Sequence, residues 1–505
     1  MNNKDEGEKI QSGANYYGSE NVIDPTSLVA KFRSIIDNKA AKWILSRFAK
    51  DQKGLEHLLA VFSGVEKPSN PVESLEIKAL EAIFNAGAKV FGVNGIDSLK
   101  SWLKEAYIRK AIALTLRSVA IYGITRPQKF AAPLLVVWNF TKMCNLRCMH
   151  CYANALQGRP APGELTLEQK LKVVDILDEA GVTMIAFSGG EPLMSRDFWI
   201  VAEYASKKGF YTSVATNGTL LSSPSVVDRL AKVGIKYVEI SLDALNPEIH
   251  NKFRGQPRAW ERTVEGIKNV VSKGVFDTAI AVTATKLNYD EIDDLLEFAI
   301  KLKVKKFIVF NFVPTGRGRE IINLDLSPRE REELLKRLYE KWQKLTGIDV
   351  FSTSPTYSRI GVEKILEKEG MKYAPSHFAY IDTSIPEGVG LAEFIGGCGA
   401  GRVYIALEDN GDIEPCVYLP IKVGNILKDD FMTVWNDSQV FNDLRDRNKL
   451  WPACSKCPFV YVCGGCRARA YSYYGNYLAP DPGCILNERY YNEILASFNL
   501  TMVKK

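Results

Sequence analysis

Ten cysteines are the residues of this 505-residue chain whose type and spacing point most directly to chemistry. The first three are Cys144, Cys148 and Cys151, separated by steps of four and three residues. Four thiolates saturate a [4Fe–4S] cluster, whereas three leave one iron open to bind a substrate or a cofactor. The spacing therefore predicts a reactive iron–sulfur site, and a zinc site without a nearby fourth ligand is the alternative.

Small and polar residues follow the next predicted strands, where a parallel barrel places its chemistry. Residues 188–192 read Ser-Gly-Gly-Glu-Pro. The glycines allow backbone carbonyls to approach a ligand amine, and Glu191 adds a complementary charge. The polar residues after later strands are Thr216, Asn217, Ser241, Asp243 and Arg254.

Seven further cysteines form a second ligand set, in a region where cysteine spacing replaces hydrophobic periodicity. They are Cys398, Cys416, Cys454, Cys457, Cys463, Cys466 and Cys484. Seven thiolates suit two additional metal clusters. A zinc ribbon explains the four cysteines from 454 to 466, but it leaves the three flanking cysteines unexplained.

Strands that alternate with amphipathic helices must position the first cysteine group. The predicted strands cover residues 134–140, 184–188, 211–216, 237–242, 278–284 and 306–312. The predicted helices cover residues 166–180, 197–208, 225–233, 260–273, 289–303 and 328–346. Such a series predicts an α/β fold with a parallel sheet and right-handed crossovers. Six units rather than eight predict an open, partial (β/α)6 barrel.

Composition and residue pattern divide the whole chain into six segments. We expect a disordered tail over 1–23, a helical accessory domain over 24–130, the barrel over 131–346, an irregular linker over 347–395, a cysteine-rich domain over 396–490 and a C-terminal tail over 491–505. In the helical domain, Pro71 is predicted to start a helix that ends near Val90. Asp97 or Ser98 is predicted to cap one long helix that continues through Leu116.

Composition narrows the class of protein. The hydrophobic fraction is 46%, the charged fraction is 25%, and the net charge of +6 is too small for a dedicated nucleic-acid binder. We expect no secretory signal at the N-terminus, and no apolar run reaches the ~18–20 residues that cross a bilayer. Uneven cysteine groups do not suggest disulfides, so we expect a reducing, cytoplasmic location, with peripheral membrane contact left open.

The Cys-x3-Cys-x2-Cys motif, the Gly-Gly-Glu-Pro motif and the six strand–helix units resemble the radical SAM superfamily over residues 133–346. The resemblance implies that the first three cysteines hold a [4Fe–4S] cluster whose open iron binds S-adenosylmethionine (SAM). Reductive cleavage of SAM would give a 5′-deoxyadenosyl radical, which abstracts hydrogen from an unactivated C–H bond. The implied SAM contacts are Gly189, Gly190 and Glu191 at the methionine amine, Asn217 and Thr216 beside the cofactor, Ser241 and Asp243 at the ribose hydroxyls, Arg254 at the methionine carboxylate and His150 near the adenine.

The C-terminal cysteines resemble the SPASM extension of that superfamily, which holds two auxiliary iron–sulfur clusters. The resemblance implies a distal cluster on Cys454, Cys457, Cys463 and Cys484 and a nearer cluster on Cys398, Cys416 and Cys466, with a fourth position unassigned. Two residues precede the sixth cysteine, where the family commonly has three. Val417 replaces the aspartate base that follows the second cysteine in sulfatase-maturing relatives, so neither that activity nor a catalytic acid or base is carried over.

Three hypotheses for function follow. The first is an oxidoreductase or maturase that oxidises or cross-links a peptide or protein, the commonest role of SPASM relatives. The second is radical cross-linking or modification of tetraether-type lipid chains, for which the helical domain could form an apolar trough. Electron transfer without radical chemistry is a distant third, because it leaves the glycine motif and Arg254 unexplained. For either enzyme we expect an electron donor such as a ferredoxin or a flavodoxin.

Overall fold

The computed structural model describes residues 51–91, 96–367, 373–375, 380–382 and 388–492. The tail expected over 1–23, the helices expected over 24–50 and the tail expected from residue 493 onward lie outside the described residues. Within the described part, no helix is long and apolar enough to cross a membrane.

Among the described residues, four helices precede the barrel, and they build a small core of their own. They are α1 (Gln52–Phe62), α2 (Pro71–Phe91), α3 (Ile96–Trp102) and α4 (Ala106–Tyr122). Pro71 opens α2, as predicted. The single long helix expected through Leu116 is wrong, because the chain turns between α3 and α4, where Leu103 is fully buried in the core of these helices.

The helix α4 also contacts the barrel. The Lys110 ammonium forms an ion pair with Asp178. The Tyr107 ring packs on the Tyr211 ring with centroids 5.0 Å apart. These contacts place the N-terminal helices against the barrel near the start of the strand that Tyr211 begins.

A ten-stranded sheet forms the centre of the molecule. Its strands are β1 (Leu135–Thr141), β2 (Met184–Gly189), β3 (Tyr211–Thr216), β4 (Tyr237–Ser241), β5 (Asp277–Ala284), β6 (Lys306–Asn311), β7 (Asp349–Ser352), β8 (Tyr404–Leu407), β9 (Asp412–Glu414) and β10 (Gly424–Asn425). Their spatial order is β10-β9-β8-β1-β2-β3-β4-β5-β6-β7. All neighbours from β8 to β7 in this order are parallel, whereas β9 and β10 pair antiparallel. The six predicted strands are β1 to β6, so the open parallel barrel is confirmed.

Helices follow the barrel strands as the periodicity predicts. They are α5 (Leu167–Ala180), α6 (Arg196–Lys207), α7 (Pro224–Lys232), α8 (Pro247–Arg254), α9 (Ala259–Lys273), α10 (Ile292–Lys301) and α11 (Pro328–Trp342). Thr166 and Ser327 close capping boxes at the starts of α5 and α11, which explains why both ends could be predicted. The short helix α8 was not predicted.

Residues 347–395 differ from the irregular linker that we expected. This segment contains β7, α12 (Thr356–Glu367), a hairpin of Tyr373–Pro375 with Tyr380–Asp382, and α13 (Gly388–Ile395). Val350 of β7 is fully buried beside Phe307 of β6, its register partner. A strand of four residues is too short to show a period-two pattern, and so the sequence analysis missed it.

The cysteine-rich region continues the barrel sheet. Its strand β8 pairs with β1 in parallel, with Ile405 opposite Val136 and both side chains fully buried. Its helices are α14 (Phe431–Asp437), α15 (Gln439–Arg445), α16 (Pro452–Ser455) and α17 (Arg467–Tyr474). The pairing of β8 with β1 fixes the second cysteine group relative to the first.

Candidate functional site

The first three cysteines lie together beyond the C-terminal end of β1. Cys144 ends a two-residue strand, Met143–Cys144, that pairs with Leu156–Gln157. Each sulfur accepts one N–H group: Cys144 from the Leu146 backbone (3.4 Å), Cys151 from the Ala155 backbone (3.5 Å) and Cys148 from Arg254 Nη1 (3.8 Å). Hydrogen bonds of this kind suit thiolates that ligate a cluster, and they tune its potential.

Burial shapes the acidity of these thiols. Removal from water, with the nearby Glu191 carboxylate, raises the pKa of the Cys144 thiol to about 12. Iron must therefore displace the protons when a cluster binds, since only the thiolate is a ligand. The residues present fit an iron–sulfur cluster, because three clustered sulfurs already have N–H donors directed at them.

Arg254 and Asp243 form a buried ion pair beside Cys148. Arg254 Nε lies 2.5 Å from Asp243 Oδ2, and Asp243 Oδ1 accepts a hydrogen bond from the Thr283 backbone N–H (3.0 Å). Burial alone would raise the pKa of Asp243, but the Arg254 charge lowers it below the usual value. Both oxygens of Asp243 are engaged within the protein, and this residue is not among those that line the cavity described below. Asp243 is thus placed to position Arg254 rather than to reach a ligand.

Glu191 is fully buried, and it holds the loop that follows β3. Its carboxylate accepts hydrogen bonds from Thr216 Oγ1 (2.9 Å), the Asn217 backbone N–H (2.9 Å) and the Leu193 backbone N–H (3.3 Å). Burial raises the pKa of Glu191 to about 7, although these three hydrogen-bond donors act to lower it. The side chain therefore organises the loops around the site, and it does not line the cavity.

Two glycines of the Ser-Gly-Gly-Glu-Pro segment pack against the loop that carries Cys144. Gly189 has φ of +110°, which favours glycine, and a Cβ on Gly190 would lie 2.3 Å from the Met143 carbonyl oxygen. Both residues line the cavity. Their backbone, free of side chains, forms a cradle on the cavity wall, and a Cβ at either position would meet the backbone of residues 139–143.

His150 stacks on Phe253, with ring centroids 4.1 Å apart and planes 14° from parallel. Burial lowers the pKa of His150 to about 3, so the ring is neutral near neutral pH. Its Nδ1 atom is buried without a hydrogen-bond partner. Asn217 and Ser241 join His150 on the cavity wall. His150, Asn217 and Ser241 therefore form an aromatic and polar stretch of the cavity wall.

A single cavity of about 770 Å³ connects the two cysteine groups. The first three cysteines line it at one side, and Cys398, Cys416 and Cys466 line it at another. Between them the walls are mainly apolar and aromatic, and they come from the inward faces of β1 to β7. A molecule in this cavity would contact both cysteine groups.

Glu239 of β4 is a cavity residue that the sequence analysis missed. Among the described residues that line the cavity, it is the one carboxylate. Its strand neighbours in register, Ala215 and Ala279, are small, and its carboxylate accepts a hydrogen bond from the Tyr237 hydroxyl (3.3 Å). The alternation of Tyr237, Glu239 and Ser241 along β4 was the available clue, since these three residues share one strand face.

Tyr152 and Tyr418 bridge the two cysteine groups across the cavity. Tyr152 follows Cys151 directly, and its ring meets the Tyr418 ring edge-on with centroids 5.0 Å apart. The Tyr418 backbone N–H donates to Cys416 Sγ (3.5 Å). Sequence spacing carried no sign of this contact, because the two tyrosines are far apart in the chain.

The structure sorts the seven C-terminal cysteines into two sets. Cys398, Cys416 and Cys466 face the large cavity, and the Tyr404 hydroxyl donates to Cys416 Sγ (3.3 Å). The other set surrounds a separate cavity of about 30 Å³ and consists of Cys454, Cys457, Cys463 and Cys484. In the part of the chain that the structure describes, no group of three or more Cys, His, Asp or Glu side chains converges on a position for a single metal ion. The sulfurs border volumes of space, as polynuclear cluster ligands do.

Comparison with known proteins agrees with this geometry. The family model described as the radical SAM superfamily matches residues 138–299, and the SPASM model, described as an iron-sulfur cluster-binding domain, matches residues 398–458. The fold and the site thus define a class of enzyme that combines a radical SAM barrel with an iron–sulfur extension.

Similar sequences extend the match. The AdoMet-dependent heme synthase of Methanosarcina barkeri is 37% identical over 355 residues, which cover 70% of this chain and 97% of that protein. The mycofactocin maturase MftC of Mycolicibacterium smegmatis is 30% identical over 359 residues, which cover 70% of this chain and 83% of that protein. The chain belongs to the radical SAM superfamily, in the branch that carries a SPASM domain.

A solved structure shows the same fold. Streptococcus suis SuiB bound to S-adenosylmethionine superposes with a TM-score of 0.60 at 19% identity, over 85% of this chain and 93% of that one. The two matched domains imply SAM, a radical SAM [4Fe–4S] cluster and auxiliary iron–sulfur clusters as cofactors of this enzyme.

Proposed function

We propose that this enzyme uses SAM to abstract a hydrogen atom from an unactivated C–H bond of a peptide or protein side chain, and that the side chain is then oxidised or cross-linked. The observation that carries the proposal is the single cavity bordered by both the first cysteine group and Cys398, Cys416 and Cys466. A side chain in that cavity lies within reach of a hydrogen-abstracting group on one side and an electron acceptor on the other.

The chain's own residues would have distinct roles. Cys144, Cys148 and Cys151 would hold the cluster that, with SAM bound, supplies the 5′-deoxyadenosyl radical. The Gly189–Gly190 backbone would accept the methionine amine, and Arg254 would pair with the methionine carboxylate through its planar fork.

Of the other polar residues, two would contact SAM and two would hold neighbouring groups in place. Ser241 would face the ribose, and His150 would face the adenine. Asp243 and Glu191 would hold Arg254 and the Asn217 loop in place, because their oxygens are already occupied within the protein.

The auxiliary sites divide as the resemblance implies. Cys398, Cys416 and Cys466 would hold the nearer cluster beside the substrate, and the four cysteines around the smaller cavity would hold the distal cluster. Apolar and aromatic walls between the sites would exclude water from a substrate radical. Glu239, as the one cavity carboxylate of the described lining, would face the substrate.

The domain organisation supports the same proposal. We propose that residues 24–130 form the accessory region, 131–346 the barrel, and 396–490 the auxiliary cluster region. Clusters on thiolate ligands need a reducing compartment, which supports a cytoplasmic location with a ferredoxin or flavodoxin as electron donor.

The lipid hypothesis needs an apolar trough in the helical domain that continues into the cavity of the barrel. The described residues that line the cavity begin at Phe130, and none of them comes from α1 to α4. The cavity as described therefore gives that hypothesis no support. Electron transfer without radical chemistry leaves Arg254 and the glycine cradle without a role.

A tetrapyrrole substrate is the second candidate, because the 37% identical relative is a heme synthase. The mainly apolar cavity suits a macrocycle. Its lining holds one carboxylate, Glu239, beside the cations Lys306, Arg254 and Arg317, so its charges do not exclude a substrate with several carboxylates. We rank the peptide first because the structural neighbour SuiB has been solved with a precursor peptide, SuiA, and the relative MftC is a maturase.

One experiment separates the candidates. Anaerobic enzyme with SAM and dithionite is incubated in parallel with the peptide fraction of the native cell and with iron coproporphyrin. We expect peptides that have lost two hydrogens or gained a cross-link, with 5′-deoxyadenosine formed in proportion, and an unchanged porphyrin absorption spectrum. The Cys148→Ala enzyme is the control for both arms. A changed porphyrin spectrum with unmodified peptides would establish the second candidate instead.

A further inference from the structure

Four arginines in the cysteine-rich region are buried without a carboxylate partner in the described structure. They are Arg402, Arg445, Arg447 and Arg467, and none is more than 8% exposed. Their hydrogen-bond acceptors are backbone carbonyls, together with the side-chain oxygen of Asn442 for Arg445 and the sulfur of Cys454 for Arg467. A guanidinium stays charged in a protein, and a buried charge is costly unless an anion compensates it.

Neighbouring buried arginines follow the ordinary rule. Arg359 is paired with Glu332 and Glu363, and Arg469 is paired with Asp325 at 2.8 Å. The absence of an acidic partner is therefore a property of the four arginines and not of the whole region. For Arg447 and Arg467, which also contact residues of the cysteine sets, it indicates that an anion other than a carboxylate belongs beside them.

Arg447 lies between the two auxiliary cysteine sets. Its Nη2 donates to the Cys398 carbonyl (2.9 Å), which belongs to the set that faces the large cavity. Its guanidinium also packs on Gly464, where a Cβ would lie 2.5 Å from Arg447 Cζ. Gly464 directly follows Cys463 of the distal set. Nε and Nη1 of Arg447 are buried without a hydrogen-bond partner, so two donors remain unused.

Arg467 contacts the distal cysteine set, which is Cys454, Cys457, Cys463 and Cys484. Its Nη2 lies 3.9 Å from Cys454 Sγ, and three carbonyl groups fix the rest of the side chain. Asn487 adds a second donor to the same sulfur (3.7 Å), and the Gly465 backbone N–H donates to Cys463 Sγ (3.3 Å). Positive charge and N–H donors near cluster sulfurs stabilise the reduced, more negative state.

We propose that Arg447 and Arg467 are positioning charges that raise the reduction potentials of the auxiliary clusters, Arg447 for both clusters and Arg467 for the distal one. The inference rests on the proposed function in one respect, namely that the two cysteine sets hold iron–sulfur clusters. It assigns a direction to electron transfer at the two clusters: they are tuned to accept an electron from the substrate radical, which is thereby oxidised, and not to deliver an electron to the SAM site.

The test is a potentiometric titration of reconstituted full-length protein followed by EPR, in a background of Cys144→Ala, Cys148→Ala and Cys151→Ala that leaves the auxiliary clusters alone. Arg447→Met should lower both midpoint potentials, with a tenfold smaller equilibrium constant for reduction corresponding to ~59 mV. Arg447→Lys should retain most of the wild-type values because it keeps the charge. Arg467→Met should lower the distal potential more than the nearer one.

Arg445→Met is the matched control. Arg445 is also buried without a carboxylate, but it stacks on Trp435 and donates to the Gly401 carbonyl. Its removal should leave both potentials unchanged.

Each outcome has a distinct meaning. Unchanged potentials in Arg447→Met and Arg467→Met with full iron content would overturn the inference and leave the proposed function intact. Absence of iron at both auxiliary sites of the background protein would contradict the proposed function itself. If Arg447→Met fails to assemble clusters, the comparison of Arg467→Met with Arg447→Lys still decides the question.

Discussion

At the scale of single residues, the site depends on which buried carboxylates already accept hydrogen bonds within the protein. The carboxylate oxygens of Glu191 and Asp243 accept hydrogen bonds from backbone and side-chain donors of the protein. Glu239 instead faces open space with one tyrosine hydroxyl as donor. Glu191 and Asp243 thus support the structure of the site, whereas the carboxylate of Glu239 is available to a substrate.

Glu239 provides a pH-dependent test of this environment. Burial raises its pKa from 4.5 to about 7, while the Tyr237 hydroxyl acts in the opposite direction. The folded protein then holds the proton more tightly than the unfolded chain does, so the free energy of unfolding falls as pH rises from 4.5 to 7. Lys306, over the Tyr237 ring, and Tyr418 are the other titratable groups near it.

Glu239→Gln should remove that loss of stability. The variant should match the wild type below pH 4.5 and exceed it above pH 7 by up to ~3 kcal/mol, measured by denaturant unfolding at each pH. Glu297→Gln, at an exposed position of α10, is the matched control and should show no such trend. A stability difference for Glu239→Gln that is flat with pH would contradict the proposed burial of the charge.

From the sequence, single residues could be predicted where chemistry dictates their spacing. Cys144, Cys148 and Cys151 could be singled out because a cluster needs three ligands at short separations. Glu239 could not be singled out, because the sequence does not show whether an acidic residue in a strand faces the barrel interior or the solvent.

At the scale of elements, the loop after β2 determines how closely the backbone approaches the first cysteine group. Gly190 has no room for a side chain, since a Cβ would meet the Met143 carbonyl oxygen at 2.3 Å. The carbonyl and Cys144 belong to the same short strand. A larger residue at 190 must therefore displace the cysteine loop.

Gly190→Ala should weaken SAM binding by about tenfold or more, or about 1.4 kcal/mol, as measured by equilibrium binding to the reconstituted protein. Gly158→Ala is the control, because a Cβ there meets nothing within 4 Å, although its φ is +70°. Equal SAM affinities for the two variants would show that the close approach at Gly190 does not matter.

The pairing of β8 with β1 makes the auxiliary region part of the barrel sheet. Ile405→Ala removes a fully buried side chain opposite Val136, and such changes typically cost about 2–5 kcal/mol. We expect that loss in thermal or denaturant unfolding, with both the barrel and the auxiliary clusters affected together. Ile200→Ala, 49% exposed on α6, should change stability by less than ~0.5 kcal/mol. Loss of the auxiliary clusters with unchanged unfolding of the barrel would contradict a shared sheet.

Elements were predictable when they were long and regular. The strands β1 to β6 and the helices between them follow from alternation, amphipathic periodicity and capping residues such as Thr166 and Ser327. By contrast, β7 and β8 contain four residues each, and their pairing partners lie elsewhere in the chain. Pairing across long sequence distance, not local preference, decides that such segments join the sheet.

At the scale of the whole molecule, the two cysteine sets of the C-terminal region lie at increasing distance from SAM chemistry. The nearer set opens onto the large cavity, and the distal set surrounds its own small one. Arg447 lies between them. Under the proposed function, one electron would pass through the two clusters in this order, from the cavity outward.

Iron content tests the number of clusters. Three [4Fe–4S] clusters predict about twelve iron atoms per chain after anaerobic reconstitution. Replacement of the first three cysteines by alanine should leave about eight, with the EPR signals of the auxiliary clusters intact. A wild-type content near four would contradict the assignment of both auxiliary sets.

The overall organisation was predictable because the cysteine groups mark the barrel and its extension. The substrate was not, because it depends on the shape of a cavity whose walls come from Phe130 to Ala468. Composition alone does not show which side chains face that space.

The central claim is that Cys144, Cys148 and Cys151 support reductive cleavage of SAM. The most direct measurement is the amount of 5′-deoxyadenosine formed by anaerobic, reconstituted enzyme with dithionite and SAM. We expect formation by the wild type and by Cys457→Ala, whose change lies in the distal set, and none by Cys148→Ala. Continued formation of 5′-deoxyadenosine by Cys148→Ala, or none by the fully reconstituted wild type, would contradict it.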